Sequence, residues 1–160
     1  MHKTRNDLPE TTRKKVIQLL NNRLADAIDL ATQIKQAHWN VKGPQFIGLH
    51  ELFDKIYEAV VEAVDEIAER AVQLGGTALG TARIVAKSSS LKEYPSDIYT
   101  CKDHVNALAD ALAQFGKSVR ESSDQADELN DADTSDLFTS ISRTIDKYLW
   151  FVEAHEQEKS

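Results

Sequence analysis

Apolar side chains recur every three or four residues along most of the chain, the spacing of one face of an α-helix. The first stripe runs Ile17, Leu20, Leu24, Ile28, Ala31, Ile34 and ends on His38. The second runs Phe46, Leu49, Phe53, Ile56, Val60, Val64, Ile67, Ala71, Leu74. The third is Ile98, Cys101, Val105, Leu108, Leu112, Phe115, Val119, and the fourth is Phe138, Ile141, Ile145, Leu149, Val152. No stretch alternates with period two for long enough to predict a sheet. Pro9, Gly43-Pro44, Gly75-Gly76, Gly80 and Pro95 fall between or at the edges of the stripes. The pattern predicts helices near 10–40, 46–74, 97–123 and 134–157, each about 35–45 Å long at 1.5 Å per residue.

The connection from Gly75 to Ser96 is long for a compact domain and can cross a bundle from end to end. One long crossover in a four-helix bundle is the ferritin-like topology, so the expected class is all-α. Residues 81–87 can form a short extra helix within the crossover. The expected organisation is a single domain over 1–160, with 1–9 as a flexible N-terminal tail.

With 160 residues, 41% of them apolar and 28% charged, the chain should fold as one soluble domain. Nineteen Lys and Arg against 26 Asp and Glu give a net charge of −7. That argues against a dedicated nucleic-acid protein and favours attraction of cations. The 12-residue uncharged run 71–82 contains three glycines, so no membrane span is expected. No secretory leader is visible, and Cys101 is the only cysteine. The expected location is therefore the cytoplasm.

The second helix places His50 and Asp54, and then Asp65 and Glu69, within about a 100° arc. Each pair spaced i,i+4 can address one ion, and imidazole with carboxylate suits iron, manganese or zinc. The two pairs cannot share an ion within one chain, because Asp54 and Asp65 stand about 16 Å apart along the axis. Yet both His50/Glu69 and Asp54/Asp65 are centred between Ala59 and Val60. Two copies of the helix packed antiparallel about a two-fold axis there would set His50 against the partner's Glu69. Asp54 would then face the partner's Asp65, giving two equivalent sites per dimer. A solvated charged stripe fits the same residues, and spacing leaves both readings open. His38, inward-facing at the end of its stripe, is read either as a hydrogen-bonded core residue or as a ligand, and Trp39 shares that ambiguity. No Glu-x-x-His is present, so the common di-iron pattern is absent; with Met1 the only methionine, a core Met cannot ligate a haem.

The segments Lys35-Gln36-Ala37-His38-Trp39-Asn40, Gly43-Pro44-Gln45-Phe46 and Leu49-His50-Glu51-Leu52-Phe53-Asp54 resemble the Dps family, mini-ferritins named for DNA protection during starvation. The likeness continues through Asp65 to Arg70, Gln73 to Gly76, Tyr94-Pro95, Asp97-Ile98, Ser142-Arg143, Asp146-Lys147 and Leu149-Trp150-Phe151. It spans almost the whole chain. The resemblance implies His38, His50 and Asp54 as ligands from one subunit, with Asp65 and Glu69 from its two-fold partner. It implies two irons per inter-subunit site and a hollow shell of twelve subunits built from two-fold dimers. Fe(II) would be oxidised there, preferably by hydrogen peroxide, and stored as ferric mineral. Trp39 and Trp150 would lie near the site and intercept stray oxidising equivalents. Whether zinc or another ion rests in the site is left open.

Seven acidic residues and no Lys or Arg lie between Glu121 and Asp136. This stretch reads as a solvated loop, with Asp133 capping the last helix and Asp136 favouring its first turn. The resemblance adds that such residues line three-fold iron-entry pores, here Asp131, Asp133 and Asp136. Direct DNA binding is expected to be weak. Residues 1–15 carry Lys3, Arg5, Arg13, Lys14 and Lys15 against Asp7 and Glu10, while Glu153, Glu156 and Glu158 outnumber Lys159 at the other end. The alternative is a nucleoid-binding structural protein that condenses DNA directly, with its metal site secondary.

Overall fold

The computed structural model describes residues 1–157, so Glu158 and Lys159 lie outside the described residues. Five helices follow one another: α1 Glu10–Asn40, α2 Phe46–Gln73, α3 Ala82–Ser88, α4 Cys101–Glu128 and α5 Ala132–Glu153. There is no strand among the described residues, only an isolated bridge between Lys42 and Thr100. The four long helices form the bundle. α1 packs along α2 and α4 along α5, with α1 also against α4 and α3. The stripes read from the sequence meet in one core in which Leu20, Ile34, Phe53, Ile56, Ile67, Leu108, Phe115 and Phe138 are fully buried. Burying each such side chain stabilises the fold by about 1.5–3 kcal/mol before chain entropy is charged against it.

α1 and α2 fall where the periodicity placed them. α4 and α5 do not quite. α4 starts at Cys101 because Thr100 caps it: the Thr100 Oγ1 accepts from the Asp103 N–H at 3.1 Å and donates to the Asp103 carboxylate at 2.7 Å. It then runs to Glu128, past the expected end. Its inward face continues with small residues, Ser122, Ser123 and Ala126, all buried. The Ser123 hydroxyl lies 3.0 Å from the Ser135 carbonyl and 2.9 Å from the Thr139 hydroxyl, which ties the two helices together. The acidic stretch is therefore helix, tight turn and helix, not a loop. Asn130 closes the turn with φ 60°, a conformation that Asn tolerates better than most residues. The cap of α5 is Asp131, two residues earlier than the expected Asp133.

Residues 74–100 form the crossover, with α3 inside it. Polar side chains of α1 and α4 hold it down. The wholly buried Asp26 accepts from the Ser90 N–H at 2.7 Å, and Gln33 donates to the Lys92 carbonyl at 3.0 Å. Gln114 of α4 donates to the Ser90 carbonyl at 2.7 Å. The N-terminal residues, expected as a tail, lie against the corner that follows α2. The His2 N–H donates to the Gly75 carbonyl at 2.7 Å, and Leu8 packs against the core. Gly75 has φ 86°, and a Cβ there would stand 2.6 Å from the His2 carbonyl oxygen, so glycine is required twice over. No helix among the described residues is long and apolar enough to cross a membrane.

Candidate metal centre

α1 and α2 are joined by a short turn fixed to the start of α4. The Lys42 N–H donates to the Tyr99 carbonyl at 2.8 Å, and the Cys101 N–H to the Lys42 carbonyl at 3.1 Å. This register sets His38, near the end of α1, beside His50, in the second turn of α2. Their rings stack with centroids 3.7 Å apart and planes 19° from parallel. His38 is buried and His50 half-buried, with Phe46 against the His50 ring at 5.1 Å.

The backbone fixes the tautomers. His38 Nδ1 lies 2.7 Å from the His50 carbonyl oxygen, and His50 Nδ1 lies 2.8 Å from the His38 carbonyl oxygen. A carbonyl only accepts, so each Nδ1 carries a proton, and a neutral ring held this way has its lone pair on Nε2. An imidazole oriented through Nδ1–H to a carbonyl, with Nε2 open, is the usual state of a metal-ligating histidine. His38 is thus a hydrogen-bonded inward residue, the first of its two sequence readings.

One turn beyond His50, Asp54 presents its carboxylate half-exposed and paired with the Lys35 ammonium. The hydrogen bond from Lys35 holds the Asp54 carboxyl below its ordinary value, against opposing desolvation. Lys35 also lies 4.5 Å over the Tyr57 ring. Asp65 and Glu69 are exposed farther along α2. At about 16 Å and about 22 Å from Asp54 along the helix, Asp65 and Glu69 cannot reach the histidine pair of their own chain. Glu62 and Glu66 stand beside them, and desolvation with the charges of Glu62 and Asp65 pushes the Glu66 carboxyl up. Among the described residues no three His, Cys, Asp or Glu side chains of one chain gather into a metal site. The chain carries the two parts of the donor set at separate places.

Trp39 is 68% exposed and borders a groove with Lys35, Tyr57 and Val85. Trp150 is exposed too and packs edge-on to Phe151 at 4.9 Å. The three candidate pore carboxylates separate. Asp133 and Asp136 are exposed, but Asp131 is buried at 2%. Asp131 Oδ1 accepts from Arg70 Nη2 at 2.9 Å and from the Thr134 N–H at 3.1 Å, while Oδ2 accepts from the Thr134 hydroxyl at 2.6 Å. Asp131 is therefore spent on the cap of α5 and on Arg70 in this chain, and has no free face for a pore. Sequence reasoning missed Lys35 and Arg70. Their only signal was membership of the segments 35–40 and 65–70, with nothing to say which carboxylate each would meet.

Comparison with known proteins agrees with this architecture. A family model described as a ferritin-like domain matches residues 17–159. The chain is 52% identical over 159 residues to the DNA protection during starvation protein of Agrobacterium fabrum, covering 99% of this chain and 98% of that one. It is 32% identical to DNA protection during starvation protein 1 of Deinococcus radiodurans, covering 92% and 71%. Among solved structures, Dps of Mycobacterium smegmatis superposes with a TM-score of 0.92 at 32% identity, covering 97% and 93%. DpsC of Streptomyces coelicolor does so at 0.94 and 30%, covering 99% and 92%. The bundle is thus of the ferritin-like class. Within that class, the chain belongs to the Dps family.

Proposed function

We propose that this protein is an iron-oxidising, iron-storing mini-ferritin that protects DNA by removing Fe(II) and peroxide together. The observation that carries the reading is the reciprocal pairing of His38 and His50, which leaves two imidazole Nε2 atoms and the Asp54 carboxylate at one end of the α1–α2 pair. The other carboxylates, Asp65 and Glu69, lie where only a second copy could bring them to that end. On this reading His38, His50 and Asp54 bind iron from one subunit, with the partner's Asp65 and the partner's Glu69 completing the site. The shared midpoint between Ala59 and Val60 supplies the two-fold relation.

Fe(II) is the substrate. Two Fe(II) and one hydrogen peroxide, with two protons, give two Fe(III) and two waters. Taking both electrons from a pair of irons avoids the one-electron cleavage that releases hydroxyl radical. Asp54, Asp65 and Glu69 are hard anionic donors that favour Fe(III) over Fe(II) and so draw the oxidation forward. The two histidines fix position through their backbone bonds rather than by charge. Assembly into a closed shell of twelve, with Asp133 and Asp136 at the entry pores, gives the ferric product somewhere to go. Trp39, exposed beside Lys35, is placed to intercept an escaping oxidising equivalent.

The test is a mixture of two inactive variants. Asp65→Asn/Glu69→Gln subunits and His50→Ala/Asp54→Ala subunits should each lose rapid Fe(II) oxidation while still assembling. Mixed dimers regain one intact site of two, so activity should return. No recovery in verified mixed dimers would rule out ligand sharing. Peroxide consumption far from one per two Fe(II) would rule out the paired-electron chemistry.

The alternative, direct DNA condensation, has less support. The N-terminal segment carrying Lys3 and Arg5 is docked through His2 on Gly75, and the chain is acidic, with a sequence pI near 5.2. Few phosphate contacts per subunit make any such binding weak and steeply salt-dependent.

A further inference from the structure

Lys35 and Asp54 form the rung next to the histidine stack. Lys35 lies one turn before His38 on α1, and Asp54 one turn after His50 on α2. The two helices run antiparallel, so the Lys–Asp pair and the His–His pair are neighbours on one face. The lysine is not a loose surface chain. Its side chain is 23% exposed, its ammonium is paired with Asp54 Oδ1, and the same ammonium lies 4.5 Å over the Tyr57 ring. Tyr57 sits three residues past Asp54, hence on the same stripe.

We propose that Lys35 is a tethered competitor for the metal at Asp54: a built-in cation that yields the carboxylate when a divalent ion enters and reclaims it when the ion leaves. This rests on the reading of His38, His50 and Asp54 as metal ligands. A divalent ion approaching Asp54 meets a carboxylate that is already neutralised. It must expel the ammonium or share the oxygen atoms with it, and either way it feels an additional positive charge. The four-carbon stem of lysine allows the head to swing aside without leaving the site, whereas a free counter-ion would diffuse away. The consequence is a site held deliberately weak. The ion passes on instead of remaining as a permanent tenant, which is what a site handing its product to a store requires. Between visits Lys35 stays paired with Asp54.

The experiment is zinc binding to the assembled protein, followed by titration calorimetry, with no oxidation involved. Lys35→Met keeps the aliphatic stem against Tyr57 and removes the charge. It should bind Zn(II) about tenfold more tightly than wild type, the effect of one positive charge about 6 Å from a divalent ion at the dielectric of water. Lys35→Arg keeps the charge and should bind close to wild type. His50→Ala/Asp54→Ala identifies the heat that belongs to this site. If Lys35→Met fails to assemble, Lys35→Gln is read in the same way. Equal affinity in wild type and the uncharged variant overturns the competitor role while leaving the metal site standing. Equal tightening in the Arg and Met variants also overturns it, since charge would not be the cause. Zinc bound by none of the folded proteins removes both the competitor and the metal-site reading beneath it.

Discussion

Replacing Asp131 by alanine should be the most destabilising single change among the acidic residues between Glu121 and Asp136. The carboxylate does two things at once. As the cap of α5 it accepts the Thr134 N–H at 3.1 Å, and losing a cap costs about 1 kcal/mol. As the partner of Arg70 it neutralises a guanidinium that is only 12% exposed, and breaking a buried pair from one side costs about 3–5 kcal/mol. The two losses share atoms and are not additive. Arg70 retains its bond to the Thr134 hydroxyl at 3.0 Å and a glancing contact with Asp133 at 3.9 Å, which relieves part of the cost. The expected loss for Asp131→Ala is therefore about 3–4 kcal/mol. Asp131→Asn keeps a good capping oxygen and loses the charge, so it should fall between, at about 1.5–3 kcal/mol. Asp133→Ala removes a side chain that is 87% exposed and should cost no more than about 0.5 kcal/mol. Urea unfolding followed by far-ultraviolet circular dichroism gives the ranking, at one fixed protomer concentration because oligomers gain stability with concentration. If Asp131→Ala unfolds at the same urea midpoint as Asp133→Ala, the cap-and-pair account is wrong and Asp131 is free to serve a pore after all.

Further outcomes follow from the same contacts. His104 is 1% exposed, with Tyr94 Oη 2.7 Å from its Nδ1, and desolvation lowers its pKa against the opposing charge of Asp103 and the Ile98 backbone. The folded state then favours the neutral ring, so the unfolded chain binds the extra proton. Stability should fall as pH drops below about 6.5 and level off above it; the pH profile of the urea midpoint should flatten in that range in His104→Gln. Phe115→Ala, at a fully buried position between α4 and its neighbours, should cost about 3–5 kcal/mol in the same assay. Gly75→Ala combines a positive φ with a clash at the His2 carbonyl and should cost about 1–2 kcal/mol. It should also free the N-terminal residues, seen as faster exchange of the His2 amide. A gel shift with linear duplex at about 150 mM salt and neutral pH should show little retardation of wild type; tight retardation lost on deleting residues 1–8 would make DNA binding a primary function.

The periodicity located α1 and α2 almost to the residue because their stripes are built of large aliphatic and aromatic side chains and their ends are marked by Pro9, Gly43-Pro44 and Gly75-Gly76. It failed at the far end of α4 for a definite reason. Ser122, Ser123 and Ala126 continue the inward face, but small polar residues read as solvent-facing unless the helix packed against them is known. The cap of α5 was misplaced for a related reason. Asp131 and Asp133 are both good caps by residue type, and only the position of Arg70, 61 residues earlier, decides between them. At the candidate site the pairing of His50 with Asp54 on one face and the inward facing of His38 are legible because i,i+4 geometry and stripe membership are local. The reciprocal carbonyl bonds that fix the tautomers, and the Lys35 cation across the helix pair, depend on the register between two helices. No single-helix pattern encodes that register.

Dividing a site between copies has a consequence for the chemistry. On the proposed reading an isolated chain holds two imidazole nitrogens and one carboxylate, and that carboxylate is already paired with Lys35. Such a set binds Fe(II) poorly and cannot hold two irons together. Pairing with a second copy adds the partner's Asp65 and the partner's Glu69, two formal negative charges. On this reading the oxidising site becomes complete only when two copies pair. A chain with all five donors in one subunit would oxidise iron as a lone copy. The distance of about 16 Å that keeps Asp65 from Asp54 within one helix is, in this sense, what ties oxidation to the pairing of two copies.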